Sequence, residues 1–246
     1  MENELIDLSH VIEDGLITYK GLPGPIICDY LTRETSRKNY EEGTEFQIGK
    51  IEMVSNTGTY VDVPFHRYAD GKDLSQTGID RLGGMEGLFI SIDQSIKEID
   101  KTFFYEKNIR GKAVLIHTGW DRHWNTDDYF ENHPYLTADA ANYLADNGVA
   151  MVGIDSYNID DTSGRSRPVH TILLGKEIPI VEHLCNLEQL MGRTFEFEFY
   201  AVPPKFKGVG TFPVVCVKLY SVVIAVLFDS QKREGALSLK CMLCTA

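Results

Sequence analysis

Between residues 55 and 71 the chain reads SNTGTYVDVPFHRYADG, which sets Tyr60, Asp62 and His66 close together behind Thr57, Gly58 and Thr59. If residues 60–62 are extended, Tyr60 and Asp62 point to one face, because side chains alternate along a strand. Pro64 then turns the chain, and His66 can come back toward that face. A carboxylate beside an imidazole suits a metal site or an acid/base pair. The same residues also suit plainer roles, with Asp62 capping a turn and His66 lying at the surface. A second cluster, RPVHTILLGKEIPIVEH, carries His170 and Glu182, with His183 adjacent. One helix followed by a short strand brings His170 and Glu182 together. A capped helix with a solvated glutamate is the alternative.

The elements that must position these groups follow from periodicity and punctuation. LIDLSHVI (5–12), EFQIGKIEMV (45–54), GLFISID (87–93) and KAVLIHTG (112–119) read as strands. TADAANYLADNG (137–148) predicts a helix, with Thr137 as N-cap, Ala140, Ala141 and Leu144 on one face, and Gly148 at the stop. VAMVGID (149–155) follows as a strand. RPVHTILLG (167–175) predicts a second helix, with Pro168 in its first turn, and IPIVEH (178–183) another strand. In TFEFEFYAV (194–202) Phe195, Phe197 and Phe199 alternate with Glu196, Glu198 and Tyr200, as a half-buried strand requires. FPVVCVKLYSVVIAVLF (212–228) supplies one or two closing strands. DGLITYKGLPGP (14–25) is turn-rich. Mixed strands and helices give an α/β or α+β class.

The 246 residues suit one sizeable domain, expected over 1–228, followed by a tail (229–246) to which no role attaches. A net charge of −12 repels phosphate backbones, so no nucleic-acid partner is expected, and small substrates and cations fit better. No apolar run reaches the length of a membrane helix. The first residues lack the basic-then-apolar pattern of a secretory signal. Five scattered cysteines do not form a disulfide framework, and CMLC at 241–244 is a weak zinc or redox signal. A cytoplasmic location is expected.

NTGTYVDVPFH resembles the H-x-G-T-H-x-D-x-P-x-H signature of the metal-dependent cyclase-family hydrolases, which include bacterial kynurenine formamidase and isatin hydrolase. DLSHVIEDGLITYKG, VLIHTGWDRHW, GIDSYNID, RPVHTILLG, IPIVEHLCNLEQL and VPPKFKGVGTFPV are similar to further family segments in the family's order, from about residue 5 to about residue 215. The resemblance implies a swivelling β/β/α domain, a mixed sheet with flanking helices, and a homodimer or homotetramer. It also implies a divalent metal site. Carried over by position, Asp62, His170 and Glu182 match metal ligands and His66 matches the proton donor/acceptor. Asn56 and Tyr60 stand where the family has two ligand histidines.

Losing two imidazoles removes two nitrogen donors, while three protein ligands plus an open position still describe a catalytic site. A phenol binds metal poorly unless the ion deprotonates it. One ion per chain, Zn or Mn, is therefore expected, with a site that holds no metal as the alternative, Asn56 and Tyr60 touching substrate or bound water, and Tyr19 of the opening loop stacking on substrate or packing in the core. The resemblance implies hydrolysis of a small amide, formamide or lactam by water activated at the ion, with His66 as acid/base. The alternatives are a lactone hydrolase, cyclase or dehydratase on the same fold, or a binding protein without catalysis. Trp120 and Trp124 suit a pocket or a core. His117 suits hydrogen-bonded structure, and Lys205 and Lys207 a solvated loop.

Overall fold

The computed structural model describes residues 5–192 and 197–220. In chain order these form β1 (Leu5–Asp7), β2 (Ile26–Leu31), α1 (Arg33–Asn39), β3 (Ile48–Glu52), β4 (Tyr60–Asp62), β5 (Gly83–Ser91), β6 (Glu98–Ile99), β7 (Ala113–His117), β8 (Tyr135–Leu136), α2 (Ala138–Asp146), β9 (Met151–Ile154), α3 (Pro168–Gly175), β10 (Ile180–Glu182), β11 (Phe197–Ala201), β12 (Thr211–Pro213) and β13 (Cys216–Tyr220). The expected mixed α/β, swivelling β/β/α architecture is present.

Nine strands make one sheet in the order β1-β13-β11-β5-β7-β9-β10-β4-β12. The middle four, β5, β7, β9 and β10, run parallel. Helices α2 and α3 lie on the β7–β9 and β9–β10 crossovers that parallel neighbours need, and the β5–β7 crossover carries the 3-10 turn Lys101–Phe104 instead. Antiparallel strands flank them on both sides. β12 lies at one edge and β13 near the other, yet only Val214 and Val215 separate them in sequence. Such a short link forces the sheet to curl. Leu8 completes the approach, its N–H donating to Cys216 O at 2.9 Å and its carbonyl accepting from Cys185 N at 3.1 Å.

The curled sheet separates two cores. Ala113 and Leu115 of β7, Met151 of β9, Val181 of β10 and Val61 of β4 face the inner core with Phe199 and Leu8. Val114, Ile116, Val152, Ile154 and Ile180 face the outer core, beneath Ala140, Ala141 and Leu144 of α2 and Val169 and Leu173 of α3. Each Val, Leu, Ile, Met or Phe among them, fully buried, contributes roughly 1.5–3 kcal/mol, and each alanine less. The placement fixes the face that matters for chemistry. With Val61 and Val181 turned inward, Tyr60, Asp62 and Glu182 must point outward, toward α3.

Several elements are shorter than their sequence patterns. The strand expected over 5–12 ends at Asp7, because Asp7 Oδ1 accepts from Ser9 N at 3.0 Å and turns the chain. Helix α2 matches its signals, with Thr137 Oγ1 accepting from Ala140 N. On β11, Phe197 and Phe199 are buried and Glu198 and Tyr200 are half-buried. Phe195 and Glu196, residues 221–228, the 229–246 tail and the CMLC motif lie outside the described residues. The strand expected over 45–54 is present as β3, paired with β2, whereas β2 and α1 were not anticipated by periodicity. Their side chains are nearly all exposed, so no apolar stripe marks them.

Candidate metal and catalytic site

Strand register assembles the first half of the site. β4 pairs with β10 so that Glu182 lies opposite Tyr60, and with β12 so that Thr211 lies opposite Asp62. Directly opposed residues share a face. Pro64 opens a single 3-10 turn (Pro64–His66) with its preset φ. That turn carries His66 back until its Nδ1 lies 3.5 Å from Asp62 Oδ1. Thr211 Oγ1 donates to Asp62 Oδ1 and lies 2.7 Å from His66 Nδ1. Close approach of β12 depends on Gly210, where a Cβ would come within 2.2 Å of His66 N.

Helix α3 supplies the second half. Asp160 Oδ1 accepts from Val169 N at 2.7 Å and Oδ2 from His170 N at 3.1 Å, which anchors the helix start. The same Oδ2 lies 2.6 Å from His170 Nδ1. A carboxylate on Nδ1 turns Nε2 toward the sheet, as it does in metal-binding histidines. His170 Nε2 then sits 3.6 Å from Asp62 Oδ2 and 3.7 Å from Glu182 Oε1. Those spacings exceed hydrogen-bond length. Glu182 Oε1 accepts from Ile159 N at 2.6 Å, and Oε2 accepts from Tyr60 Oη at 2.7 Å. Tyr60 Oη lies 3.3 Å from His183 Nε2, and His183 Nδ1 lies 2.8 Å from Tyr129 Oη.

Electrostatics favour a cation at this point. Asp62 Oδ2 is buried with no hydrogen-bond partner, an arrangement that costs free energy unless a positive group satisfies it. Burial pushes the Glu182 carboxyl up to about 7, with Asp62 adding to the effect and His170 opposing it. Burial works against a charged His170, yet Glu182, Asp160 and Asp62 outweigh it and raise the imidazole to about 10. Burial likewise opposes ionised Asp62, but His66, His170 and Thr211 hold its carboxyl below the usual range. Oxygen donors with one or two imidazoles suit a divalent ion. Ligand atoms of Asp62, His66 and His170 all lie within 4.8 Å of one another, so the residues present fit such an ion.

Residues 6–161 match the family model described as putative cyclase. The chain belongs to the cyclase family. Kynurenine formamidase of Bacillus cereus is 27% identical over 202 residues, covering 82% of this chain and 90% of that one. The Bacillus anthracis kynurenine formamidase is 26% identical over 215 residues, covering 86% and 95%. Among solved structures, a potential metal-dependent hydrolase with cyclase activity superimposes with a TM-score of 0.68 at 24% identity, over 89% of this chain and 98% of that one. Isatin hydrolase A from Labrenzia aggregata gives 0.73 at 18% identity, over 88% and 93%. These two likenesses speak for the fold.

Within this cyclase-family site the structure brings together Asp62, His66, His170 and Glu182. Tyr60 touches Glu182 as well. Asn56 is half-buried, and among the described residues its one hydrogen bond comes from Ser55 Oγ at 3.4 Å. Tyr19 accepts from Asn158 Nδ2 at 2.6 Å and packs on Tyr157, with ring centroids 4.6 Å apart and His183 at 6.4 Å. It belongs to an aromatic cluster beside Tyr60. His117 is buried, its Nδ1 3.3 Å from Ser91 Oγ. Trp120 donates to Tyr129 O at 3.0 Å, and Trp124 stacks on His10 at 3.9 Å. Lys205 and Lys207 are exposed.

Sequence reasoning missed Asp160, Thr211, Tyr129 and the part His183 plays. Asp160 had a usable signal, since it stands eight positions before Pro168 at a helix start. Thr211 had none, because its place is set by strand register across most of the chain. Asp155, also missed, is fully buried and accepts from Thr118 N at 2.8 Å, Thr118 Oγ1 at 2.6 Å and Gly119 N at 2.8 Å. It fixes the turn that leads into Trp120.

Proposed function

We propose that this protein is a metal-dependent hydrolase of a small amide, formamide or lactam, holding one divalent ion, Zn or Mn, with Asp62, His170 and Glu182. The observation that carries the reading is the partnerless, buried Asp62 Oδ2 facing His170 Nε2 at 3.6 Å, with His66 on the same carboxylate's other oxygen. The named activities of the formamidase relatives and the isatin-hydrolase neighbours agree with it. Bound at this point, a divalent ion acidifies water and polarises a carbonyl.

The chain's own residues do the rest. Asp160 holds His170 with Nε2 toward the carboxylates. The Tyr129–His183–Tyr60 chain fixes Glu182 through Oε2 and leaves Oε1 toward His170. His66, whose side chain is 33% exposed, reaches both solvent and the site. It takes a proton from the attacking water and passes it to the departing nitrogen as the C–N bond breaks, giving a carboxylic acid and an amine. Tyr60, bonded to Glu182 and His183, keeps its proton and serves as a hydrogen-bonding group.

A second reading exchanges His66 for Glu182 among the ligands, favoured by the close grouping of Asp62, His66 and His170. His66→Ala separates the two. Under the first reading turnover on N-formylkynurenine or isatin is abolished and metal content stays near that of the wild type. Under the second, the metal is lost as well. Hydrolysis of lactones in preference to both compounds would move the assignment to the lactone chemistry of the same fold.

A homodimer or homotetramer is supported by apolar side chains standing exposed on the β2–β3 hairpin, including Tyr30 at 77% and Ile51 at 62%. Light scattering of the purified chain tests it, and a monomer mass rejects it. Free thiols at Cys28, Cys185 and Cys216 support a reducing, cytoplasmic location. Among the described residues no helix is long and apolar enough to cross a membrane.

A further inference from the structure

Building on the hydrolase reading, we propose that Thr211 is a positioning residue that sets the tautomer of His66, so that Nδ1 keeps its proton and Nε2 presents its lone pair to the reacting water. A threonine hydroxyl has one hydrogen to give and lone pairs to accept with. Thr211 Oγ1 gives that hydrogen to Asp62 Oδ1. An ionised carboxylate only accepts, so the direction of this bond is fixed. Thr211 Oγ1 also lies 2.7 Å from His66 Nδ1. With its hydrogen already committed, the oxygen must accept there, and His66 Nδ1 must be the donor.

The direct alternative fails on distance. His66 Nδ1 is 3.5 Å from Asp62 Oδ1, too long for a good hydrogen bond. The hydroxyl therefore bridges the imidazole to the carboxylate. It is held rigidly, being buried on β12 directly opposite Asp62 on β4. Val63 N donates to Gly210 O at 2.8 Å and locks the register one residue earlier. A free histidine side chain favours the Nε2–H form, which cannot accept a proton at Nε2. The Thr211 bond reverses that preference and orients the ring as well. When Nε2 takes the water's proton, Nδ1–H stays in place on Thr211 and the imidazolium is still hydrogen-bonded. The proton then leaves from Nε2 to the amine, and Thr211 is unchanged.

The test pairs a spectrum with kinetics. Nitrogen NMR of histidine-labelled full-length protein, with the His66 signals identified by their loss in His66→Gln, should show Nδ1–H in the wild type. Thr211→Val removes the hydroxyl at nearly equal volume. It should return His66 to the Nε2–H form and lower kcat by about 10- to 100-fold with KM nearly unchanged, as misorientation of a catalytic group does. Thr211→Ser should restore both the spectrum and the rate. An Nε2–H signal in the wild type, or a Thr211→Val enzyme with wild-type kcat, overturns the assignment. If the valine variant fails to fold, the wild-type spectrum alone decides. A protein inactive on every amide tested, yet switching tautomer in Thr211→Val, keeps the Thr211 assignment and sinks the hydrolase reading instead.

Discussion

At the scale of single residues, the site is a set of carboxylates and imidazoles whose remaining atoms are tied down by neighbours. Tyr60 illustrates the cost of loosening one. Tyr60→Phe leaves Glu182 Oε2 and His183 Nε2 without a shared partner in a buried place. It should lower stability by about 1–3 kcal/mol, the penalty for an unmade buried hydrogen bond, read as a lower melting temperature. An unchanged melting temperature would mean that the phenol is not holding Glu182. Asp160→Asn should weaken metal binding by about 10- to 100-fold, because the amide grips His170 Nδ1 less well than the carboxylate that lies 2.6 Å from it. Competition with a metal indicator measures that directly. The convergence of Asp62, His66, His170 and Glu182 was anticipated because the signature resemblance aligned them, while residue type and spacing alone left plainer roles open. Asp160 and Thr211 were not. Aspartate and threonine usually cap and turn, and only the folded distances give these two a different task.

At the scale of elements, the site depends on one three-residue strand held between two others. β4 is completely buried, and both its partners present a site group to it, Glu182 from β10 and Thr211 from β12. Gly210 lets β12 approach the Pro64–His66 turn. Gly210→Ala should therefore cost about 1–3 kcal/mol through overpacking and lower kcat by displacing His66. A variant with wild-type stability and rate would show that β12 is not held tightly there. Helices α2 and α3 and the parallel strands were readable because their apolar side chains recur with the right period and because Thr137, Pro168 and Gly175 mark helix ends. β2 and α1 were unreadable for the opposite reason, although β3, the partner of β2, was read from its alternation. Almost nothing on them is buried within the chain, so burial leaves no imprint on their sequence. β4 itself entered only as the supposition that Tyr60 to Asp62 is extended, which the fold bears out. Its neighbours in the sheet depend on contacts far apart in sequence and could not be read.

At the scale of the whole molecule, a curled sheet encloses one core and helices cover the other, with the site on the helical side near the outer core. Burying neutral histidines there makes the fold sensitive to acid. Burial lowers the His10 imidazole from its ordinary 6.5 to about 4 and pushes His183 down in the same direction. A depressed folded value means that the unfolded chain takes up the proton first. Stability should be full above pH 6.5 and fall as pH drops toward about 4. His10→Phe, which keeps a ring against Trp124, should flatten that part of the melting-temperature profile, and an equally steep profile would rule out a contribution from His10. Metal binding should raise stability further by mass action, because the ligands converge only in the folded chain. The most direct measurement is a calorimetric titration of metal-stripped protein with zinc and with manganese, run beside Asp62→Asn. The wild type should bind about one ion per chain and the variant should lose that binding, as a site of three protein ligands requires. No binding by the wild type, or the same binding by Asp62→Asn, would contradict the proposed centre.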